Sequence, residues 1–447
     1  MSSLPLVSHV SPDSIIAWRA DGAVTLRQFL AEVSQLLALF PAGSHLLNMC
    51  NDRYRFSVGL AAAIVSGKVS LLPSTRTPEA VRQIKAFAPD MFCLTDSDLC
   101  TVDLPQLRYP VMGESLPDAF AIPQIESKQH IAVVFTSGST GTPQPHPKTW
   151  GALVSSVQAE ALRLGLLHNT PCTLIATVPP QHMYGLESTV LMAWLSGNAL
   201  SHAQPFYPAD ICQALAAVPT PRVLVSSPVH LRALLDAGLV LPEITQVVSA
   251  TAPLSAQLAQ DIEARCHAPL MEIYGSTETG QIATRRPTQT AEWQLLPGIK
   301  LIVEGDSVRA CGGHIETLIA MSDMIEPITD EHFLLHGRIA DLVNIAGKRH
   351  SLASLNHLLT TIPGVLDGAF YMPDEANHDH ITRLAACVVA PGLDASHLLA
   401  ALRKHIDPVF LPRPLLFVDA LPRNSTGKLP SATLQALFQT HSKRKPV

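Results

Sequence analysis

A run of glycines and hydroxyl residues directly follows a short apolar stretch, and it is the segment of this chain best suited to chemistry. Residues 131–135 read Ile-Ala-Val-Val-Phe, which predicts a buried strand. The residues that follow are Thr136, Ser137, Gly138, Ser139, Thr140 and Gly141. Glycine lets successive backbone N–H groups converge and hydroxyls add donors, so the segment suits the oxygens of a polyphosphate. It is not a Walker A loop, and a flexible Ser/Gly linker is an unusual alternative directly after a buried strand.

Two shorter segments could complete a site for an anionic substrate. In Tyr274-Gly-Ser-Thr277-Glu278, the tyrosine ring offers a flat face for a nucleobase and the Thr277 hydroxyl a contact for a phosphate. The Glu278 carboxylate is a hard oxygen ligand of the kind that Mg²⁺ prefers. Near the end of the chain, Gly427-Lys428 places a flexible cation in a polar loop. Ordinary turn chemistry and a solvated lysine are the alternatives for these two segments.

The composition indicates a globular protein without a global positive field. The chain has 447 residues, 47% hydrophobic and 15% charged, with a formal net charge of −6. This excludes a largely disordered chain and disfavours nucleic acid and anionic membranes as partners. The 8 cysteines are scattered singly, which predicts reduced, mostly buried thiols in the cytoplasm. His378-Asp379-His380 could hold a metal, but a solvated loop is the better interpretation.

No segment has the pattern of a membrane-targeting element. The amino terminus lacks a basic region followed by an apolar run, so we expect no signal peptide. The apolar stretches at 56–67 and 189–200 are shorter than the roughly 20 residues that a membrane-spanning helix needs. We therefore expect a cytoplasmic protein without membrane insertion.

Short apolar runs alternate with amphipathic helical patterns along most of the chain. The strand-like runs include 131–135, 174–178, 223–225 and 246–248, and the helical patterns include 26–39, 151–164 and 255–266. This alternation predicts an α/β fold whose large amino-terminal body, residues 1–337, has mostly parallel sheets with flanking helices. We expect residues 338–447 to form a small, mobile α+β lobe with a βαβ-like unit. Its helical patterns lie at 351–359 and 395–406, and its strand-like runs at 368–372 and 384–389.

Four further segments complete a pattern that is known from one superfamily. They are Pro179-Pro-Gln-His182-Met-Tyr-Gly185, Ser249-Ala-Thr-Ala-Pro-Leu254, Ser322-Asp323 and Gly337-Arg338-Ile-Ala-Asp341. Together with the three segments above, and in this order, they resemble the adenylate-forming superfamily of acyl-CoA synthetases, peptide-synthetase adenylation domains and luciferases. The resemblance extends from about Leu46 to Lys428.

The resemblance implies a nucleotide site for ATP and Mg²⁺ and a role for each matching residue. Residues 136–142 would enclose the β- and γ-phosphates, Thr277 would contact the α-phosphate, and Glu278 would bind Mg²⁺. The adenosine part would be held by Tyr274, Gly275, Thr251, Asp323 and Arg338. Lys428 on the small lobe would bridge the substrate carboxylate and the α-phosphate, because these two anions repel each other and need a positioned cation.

The resemblance also implies a pocket for a carboxylic acid beside the nucleotide. His182 would lie between this pocket and the thiol entrance, although a satisfied core histidine is the alternative. Ser227, Ala250 and Gly275 would contact the acid. The segments 225–228 and 249–251 would line the pocket, and because they are small and polar-edged, they suit a compact hydroxylated ring better than a long alkyl chain.

Three departures from the family pattern bear on catalysis. The phosphate loop of the family usually continues Pro-Lys-Gly, but Gln144 stands here in place of the lysine. Either Lys148 substitutes for that lysine or the charge is missing. Ala250 replaces a glycine, and Ala340 stands where the family commonly has an acidic or basic hinge residue. Alanine can still accept the backbone rotation of a hinge.

The compact chain resembles stand-alone ligases that load an aromatic acid, such as a hydroxybenzoate, onto an acyl carrier protein in aryl polyene pigment pathways. Free coenzyme A is the alternative acceptor. Lys348 and Arg349 could meet an acidic carrier helix or a coenzyme A phosphate, or they could be ordinary surface residues. The rival hypothesis is a non-catalytic nucleotide-binding regulator, which Gln144 and Ala340 favour and the other matching residues disfavour. The sequence leaves the acid, the acceptor and the oligomeric state open.

Overall fold

The computed structural model of the chain describes residues 2–113, 120–137, 143–167, 170–305, 307–338, 342–345, 348–372, 384–423, 429 and 431–442. In these parts of the chain, no helix combines the length and the apolar character that a bilayer crossing requires. The cysteines are free thiols, of which Cys50, Cys93, Cys172, Cys266 and Cys387 are buried.

The first of the two larger sheets is built mainly from the amino-terminal third of the chain. Its strands, in chain order, are β4 (His45–Asn48), β5 (Val69–Leu72), β6 (Phe92–Thr95), β7 (Gln106–Arg108), β9 (His130–Ser137) and β10 (Pro143–Thr149). They lie in the order β10-β9-β5-β4-β6-β7, and the pairs are parallel except for β9 with β10. The accompanying helices are α1 (Leu26–Leu37), α2 (Arg53–Val65) and α3 (Pro78–Phe87). A short antiparallel pair joins β1 (Ser3–Pro5) to β8 (Gln124–Glu126).

The second sheet contains eleven strands within the described residues. They are β2 (Ile15–Arg19), β3 (Gly22–Thr25), β11 (Thr173–Ala176), β12 (Ala199–Ser201), β13 (Arg222–Ser226), β14 (Gln246–Ser249), β15 (Leu270–Ser276), β16 (Gly280–Arg285), β17 (Trp293–Leu295), β21 (Asp323–Pro327) and β22 (His332–Arg338). The central strands, β2-β12-β11-β13-β14-β15, are parallel, and both ends of the sheet continue antiparallel. Beside it, β18 (Ile299–Glu304), β19 (Ser307–Gly312) and β20 (Ile315–Ala320) form an antiparallel sheet.

Helices connect the parallel strands, as the alternating sequence pattern predicts. They are α4 (Trp150–Arg163), α5 (Met183–Gly185), a π-helical segment (Leu186–Leu191), α6 (Met192–Leu195), α7 (Pro208–Ala216), α8 (Pro228–Asp236) and α9 (Ala256–Cys266). The side chains of Thr149 and Ser255 cap α4 and α9 by accepting hydrogen bonds from the first turns. The predicted α/β fold is confirmed, and its helices at 26–39, 151–164 and 255–266 begin and end within a few residues of the patterns.

The carboxy-terminal elements pack around a hydrophobic cluster of their own. They are β23 (Leu342–Ile345), β24 (Lys348–Ser351), α10 (Leu352–Thr361), β25 (Asp367–Tyr371), β26 (Ala385–Val389), α11 (Ala395–Leu402), a 3₁₀ turn (Pro408–Phe410), β27 (Leu415–Phe417) and α12 (Ser431–Ser442). The cluster runs from Val343 to Leu411 and includes Leu355, Phe370 and Leu398. The two predicted strands, β25 and β26, pair antiparallel, and the βαβ unit is completed by β27, which was not predicted: α11 connects β26 to β27, and these strands are parallel. Helix α11 ends four residues before the end of its sequence pattern at 406.

Candidate active site

The glycine- and hydroxyl-rich segment connects the two strands of the β9–β10 hairpin. Ser137 pairs with Pro143 and Thr136 with Gln144 at the ends of β9 and β10 that flank this segment. Gly138, Ser139, Thr140 and Gly141 lie outside the described residues, as does the side chain of Ser137. Thr136 is therefore the member of the predicted phosphate loop whose side-chain contacts are known.

The sequence does not predict strand β10, because its segment contains three prolines. Pro143, Pro145 and Pro147 occupy alternate positions, so their missing N–H groups all lie on the side away from β9. The strand is at the edge of its sheet, where no further partner needs those donors. Side chains alternate along a strand, so Gln144, His146 and Lys148 lie on the face of the hairpin opposite to the three prolines.

The predicted Tyr274–Glu278 segment forms the end of β15 and the turn into β16. Ser276 pairs with Gly280, so Thr277 and Glu278 lie at the tip of the turn. Ser276 and Thr279 tie this turn together, because each backbone N–H donates to the hydroxyl of the other residue. Gly275 is required by packing, since a Cβ at this position would lie 2.2 Å from the carbonyl oxygen of Gly280.

Two side chains of β10 connect the phosphate-loop hairpin to this turn. His146 Nε2 is hydrogen-bonded to Thr136 Oγ1 at 3.0 Å and lies 3.6 Å from Glu278 Oε1. Lys148 Nζ donates to the carbonyl oxygens of Thr277 at 2.5 Å and Glu278 at 3.3 Å. Three separately predicted residues, Thr136, Thr277 and Glu278, are thereby brought into one site.

The Glu278 carboxylate has the properties of a ligand for a divalent cation. Its side chain is 46% exposed. Partial burial opposes ionisation, but hydrogen bonds from its own backbone and from Ser276, with the charges of His146 and Lys148, lower its pKa below the usual value. Among the described residues, no group of three or more His, Cys, Asp or Glu side chains could enclose a metal. One ionised carboxylate fits Mg²⁺, which is commonly held by one or two carboxylates together with substrate phosphates and water.

A second pair of predicted residues meets at the other side of Tyr274. The Tyr274 hydroxyl donates to Asp323 Oδ2 at 2.6 Å, and its ring packs against Trp293 and Phe333. Asp323 in β21 lies opposite Arg338 in β22, so the backbones of the two residues expected at the ribose are neighbours. The side chain of Arg338 is outside the described part of the structure.

The residues expected to contact the acid lie at the carboxyl ends of adjacent parallel strands. Ser227 follows β13, and its hydroxyl is 2.9 Å from Nδ1 of His230, whose pKa is lowered by burial. Ala250 and Thr251 follow β14. Thr251 has a φ of 82°, a strained conformation for a β-branched residue of the kind that clusters at functional sites. This edge of an α/β sheet is where ligands usually bind.

His182 stands at the amino terminus of α5, on the segment that follows β11. Its backbone N–H donates to the carbonyl of Pro179 at 3.2 Å. Only glycine fits at position 185, because a Cβ there would lie 2.0 Å from the carbonyl oxygen of Pro179. Sequence reasoning missed the fully buried Arg53, which donates to the carbonyls of Ala176 at 2.8 Å and Val178 at 3.0 Å. Burial lowers the pKa of Arg53 to about 9, and the arginine fixes the start of the segment that carries His182.

Several predicted residues lie beyond the described parts of the chain. They are Lys428, Ala340, Asp341 and the segment His378-Asp379-His380, together with the side chains of Lys348 and Arg349. Sequence reasoning also missed His146, which contacts Thr136 and Glu278, and Glu187, a buried acid of the π-helical segment. Each had a weak sequence signal. His146 lies two residues before Lys148 at the end of the loop segment, and Glu187 is an acid inside an apolar stretch.

Comparisons with known proteins show the family to which the chain belongs. A family model described as AMP-binding enzyme matches residues 56–310. The chain belongs to the AMP-binding enzyme family. It is 30% identical over 304 residues to a 4-coumarate–CoA ligase of Halorhodospira halophila, covering 66% of this chain and 73% of that protein. The prediction that the chain is an enzyme of the acid–thiol ligase class is thus confirmed.

Solved structures show that this AMP-binding enzyme also shares the fold of adenylate-forming synthetases. The o-succinylbenzoate CoA synthetase MenE of Bacillus subtilis, in complex with the acyl-adenylate intermediate OSB-AMP, superimposes with a TM-score of 0.82 at 18% identity over 97% of this chain and 99% of that one. The ATP-bound MatB of Rhodopseudomonas palustris gives a TM-score of 0.80 at 19% identity over 96% of both chains. The predicted combination of a large α/β body and a small carboxy-terminal lobe is confirmed.

Proposed function

We propose that this AMP-binding enzyme activates a small carboxylic acid with ATP and transfers the acyl group to a phosphopantetheine thiol. The observation that carries the proposal is the convergence of the Thr136 strand and the Thr277–Glu278 turn beside the Tyr274–Asp323 pair. Phosphate donors, a metal-binding carboxylate and a ribose acceptor would then lie together where the β9–β10 hairpin of the first sheet meets the β15–β16 turn of the second. The ATP-bound state of MatB supports ATP as the nucleotide.

In the proposed first step, a carboxylate oxygen of the acid bonds to the α-phosphorus of ATP and the bond to pyrophosphate breaks. The products are an acyl adenylate and pyrophosphate. Residues 136–142 hold the β- and γ-phosphates, Thr277 contacts the α-phosphate, and Glu278 holds Mg²⁺, which neutralises phosphate charge when bound. Lys428 supplies the cation between the two reacting anions.

The adenosine is held on the opposite side of the turn. Asp323 and Arg338 bind the ribose hydroxyls, and Tyr274, Gly275 and Thr251 border the base. The Tyr274 hydroxyl orients the Asp323 carboxylate through the 2.6 Å hydrogen bond.

In the proposed second step, the thiol sulfur attacks the acyl carbon and AMP leaves, which gives a thioester. The small lobe, residues 338–447, rotates between the two steps, and a separate hydrophobic cluster within that lobe supports its movement as a unit. Coenzyme A and an acyl carrier protein present the same phosphopantetheine thiol. The names of the relatives support coenzyme A as the acceptor, and a carrier protein is the acceptor that the sequence resemblance implies.

We propose an aromatic acid, such as a hydroxybenzoate, as the substrate. The names of the 4-coumarate–CoA ligases and of the o-succinylbenzoate CoA synthetase support an acid that contains a ring. His182, Ser227 and Ala250 would contact it. The small side chains at positions 227 and 250 suit a flat ring.

The proposal is tested by incubating the purified protein with Mg²⁺ and ATP and a panel of hydroxybenzoates, cinnamates and alkyl acids. Released pyrophosphate reports the first step, and mass spectrometry of coenzyme A and of a holo carrier protein reports the second. We expect pyrophosphate release with at least one aromatic acid and a matching mass gain on one acceptor. Nucleotide binding without pyrophosphate release across the whole panel would instead support the non-catalytic regulator.

A further inference from the structure

The turn between β15 and β16 has its successive carbonyl groups held by side chains from other elements. Lys148 in β10 donates to Thr277 O and Glu278 O. His314, between β19 and β20, donates from Nε2 to the next carbonyl, Thr279 O, at 3.0 Å. Because a carbonyl only accepts, His314 carries its proton on Nε2 in this arrangement. Three consecutive peptide groups of the turn are therefore tied to two neighbouring sheets.

A buried acid lies directly behind these contacts. Glu187 in the π-helical segment is 1% exposed, and its Oε1 accepts a hydrogen bond from Ser156 at 2.8 Å. Its Oε2 has no hydrogen-bond partner within the described residues. A Cβ on Gly280 would lie 3.3 Å from Glu187 Oε1 and 3.1 Å from His314 Nε2, so both side chains contact the end of the turn.

Three acidic side chains act electrostatically on the partly buried ammonium group of Lys148. Burial lowers its pKa, and the negative charges of Glu187, Glu278 and Glu316 oppose that change. Glu316 itself accepts a hydrogen bond from Thr149, the residue next to Lys148. The acidic side chains of the protein thus act on the Lys148 charge while the ammonium group donates to the turn.

We propose that Lys148, supported by the buried Glu187, is a positioning residue that holds the Thr277–Glu278 turn in the geometry that binds nucleotide. This inference rests on the proposed function of that turn. Lys148 therefore does not substitute for the family lysine that Gln144 replaces, because it acts through Thr277 and Glu278 and is not a ligand of the terminal phosphates.

AMP distinguishes these two roles. A lysine that contacts the β- or γ-phosphate contributes to the binding of ATP and pyrophosphate but not to that of AMP, which lacks both groups. A lysine that positions Thr277 contributes to AMP binding as well, because the α-phosphate is the group that Thr277 contacts. In the positioning role, Lys148 also orders the turn before any nucleotide binds.

The experiment compares wild type with Lys148→Met, Lys148→Arg and Glu187→Gln, and uses exposed Lys300→Met as the matched control. Calorimetry measures binding of AMP and of Mg²⁺–ATP, and hydrogen–deuterium exchange of the nucleotide-free protein measures protection of residues 274–282. For Lys148→Met we expect about tenfold weaker binding of both nucleotides, as for loss of a charged hydrogen bond, and faster exchange in that peptide. Lys148→Arg should restore part of both losses, Glu187→Gln should produce a smaller loss, and Lys300→Met should behave as wild type.

Two results would overturn the inference. One is weaker Mg²⁺–ATP binding by Lys148→Met with unchanged AMP binding, which would make Lys148 a ligand of the terminal phosphates. The other is unchanged exchange in residues 274–282. If the wild-type protein binds neither nucleotide, the proposed function fails, and the exchange measurement still decides whether Lys148 holds the turn.

Discussion

The Tyr274 hydroxyl donates a 2.6 Å hydrogen bond to Asp323, which joins two residues that are 49 positions apart in the chain. The tyrosine ring lies against Trp293 and Phe333, so the hydroxyl is held in one place. A carboxylate with one oxygen so restrained is already oriented for a second partner, such as a pair of ribose hydroxyls.

Tyr274→Phe should therefore weaken ATP binding while leaving the chemical step largely intact. A hydrogen bond to a charged group contributes ~1.5 kcal/mol or more, so we expect the KM for ATP to rise about tenfold with a smaller change in kcat. Tyr109→Phe is the matched control, since Tyr109 donates to Glu32 at 3.0 Å on another element. Equal effects of the two variants on KM would contradict the role given to Tyr274.

Gly275→Ala should disrupt the turn that carries Thr277 and Glu278. The new Cβ would meet the Gly280 carbonyl oxygen at 2.2 Å, so the β15–β16 pairing must shift. We expect AMP binding, measured by calorimetry, to weaken by about tenfold or more if the shift costs ~1.5 kcal/mol of binding free energy. Gly392→Ala, where a Cβ meets open space, should bind as wild type. Normal AMP binding by Gly275→Ala would show that the turn tolerates the shift.

Glu187 should make the protein less stable as the pH rises toward neutrality. Burial raises its pKa from the usual 4.5 to about 7, against the hydrogen bond from Ser156 and the charge of Lys148. Between these values the folded protein keeps a proton that the unfolded chain has lost, so the free energy of unfolding falls with rising pH, by about 3 kcal/mol in total. In denaturant titrations, Glu187→Gln should gain stability relative to the wild type as the pH rises through this window, whereas exposed Glu292→Gln should not. A pH dependence in Glu187→Gln equal to that of the wild type would assign the effect to another group.

His314 should act in the opposite direction over an overlapping pH range, so the two contributions largely cancel in the wild type and are measured as differences between each variant and the wild type. Burial lowers its pKa from 6.5 to about 4, opposed by its hydrogen bond to Thr279. Between pH 6.5 and about 4, this histidine binds a proton in the unfolded chain but not in the folded protein. The free energy of unfolding therefore falls as the pH falls through this range, by about 3 kcal/mol at most. His314→Asn should gain stability relative to the wild type as the pH falls through this range in the same titrations. Exposed His405→Gln is the control, and a profile unchanged by His314→Asn would contradict the prediction.

Lys428→Ala should reduce acyl-adenylate formation by about 10²–10³-fold, because it removes the cation that offsets repulsion between two reacting anions. Pyrophosphate release with the best acid of the panel measures this step. Lys404→Ala changes an exposed lysine of the same lobe and should leave the rate unchanged. A wild-type rate in Lys428→Ala would remove Lys428 from the proposed mechanism.

Much of the fold could be predicted because local patterns agree with the tertiary structure. The β-branched run at 131–135 lies within β9, and the patterns at 151–164 and 255–266 match α4 and α9 with their Thr149 and Ser255 caps. Strand β10 could not be predicted in this way. Its prolines disfavour a strand in isolation, and only an edge position with one neighbour makes them acceptable.

The sequence by itself determined the types and order of the functional groups: the hydroxyl-rich loop, the Tyr274–Glu278 turn, Asp323 and the distant Lys428. Only the tertiary structure decided what Lys148 contacts, which carboxylate His146 faces, and that Tyr274 is bonded to Asp323. The physical reason is that these relationships depend on the register of β9 with β10 and on the packing of separate sheets. Burial, which shifts the pKa of Glu187 and His314, likewise arises from residues far apart in the chain.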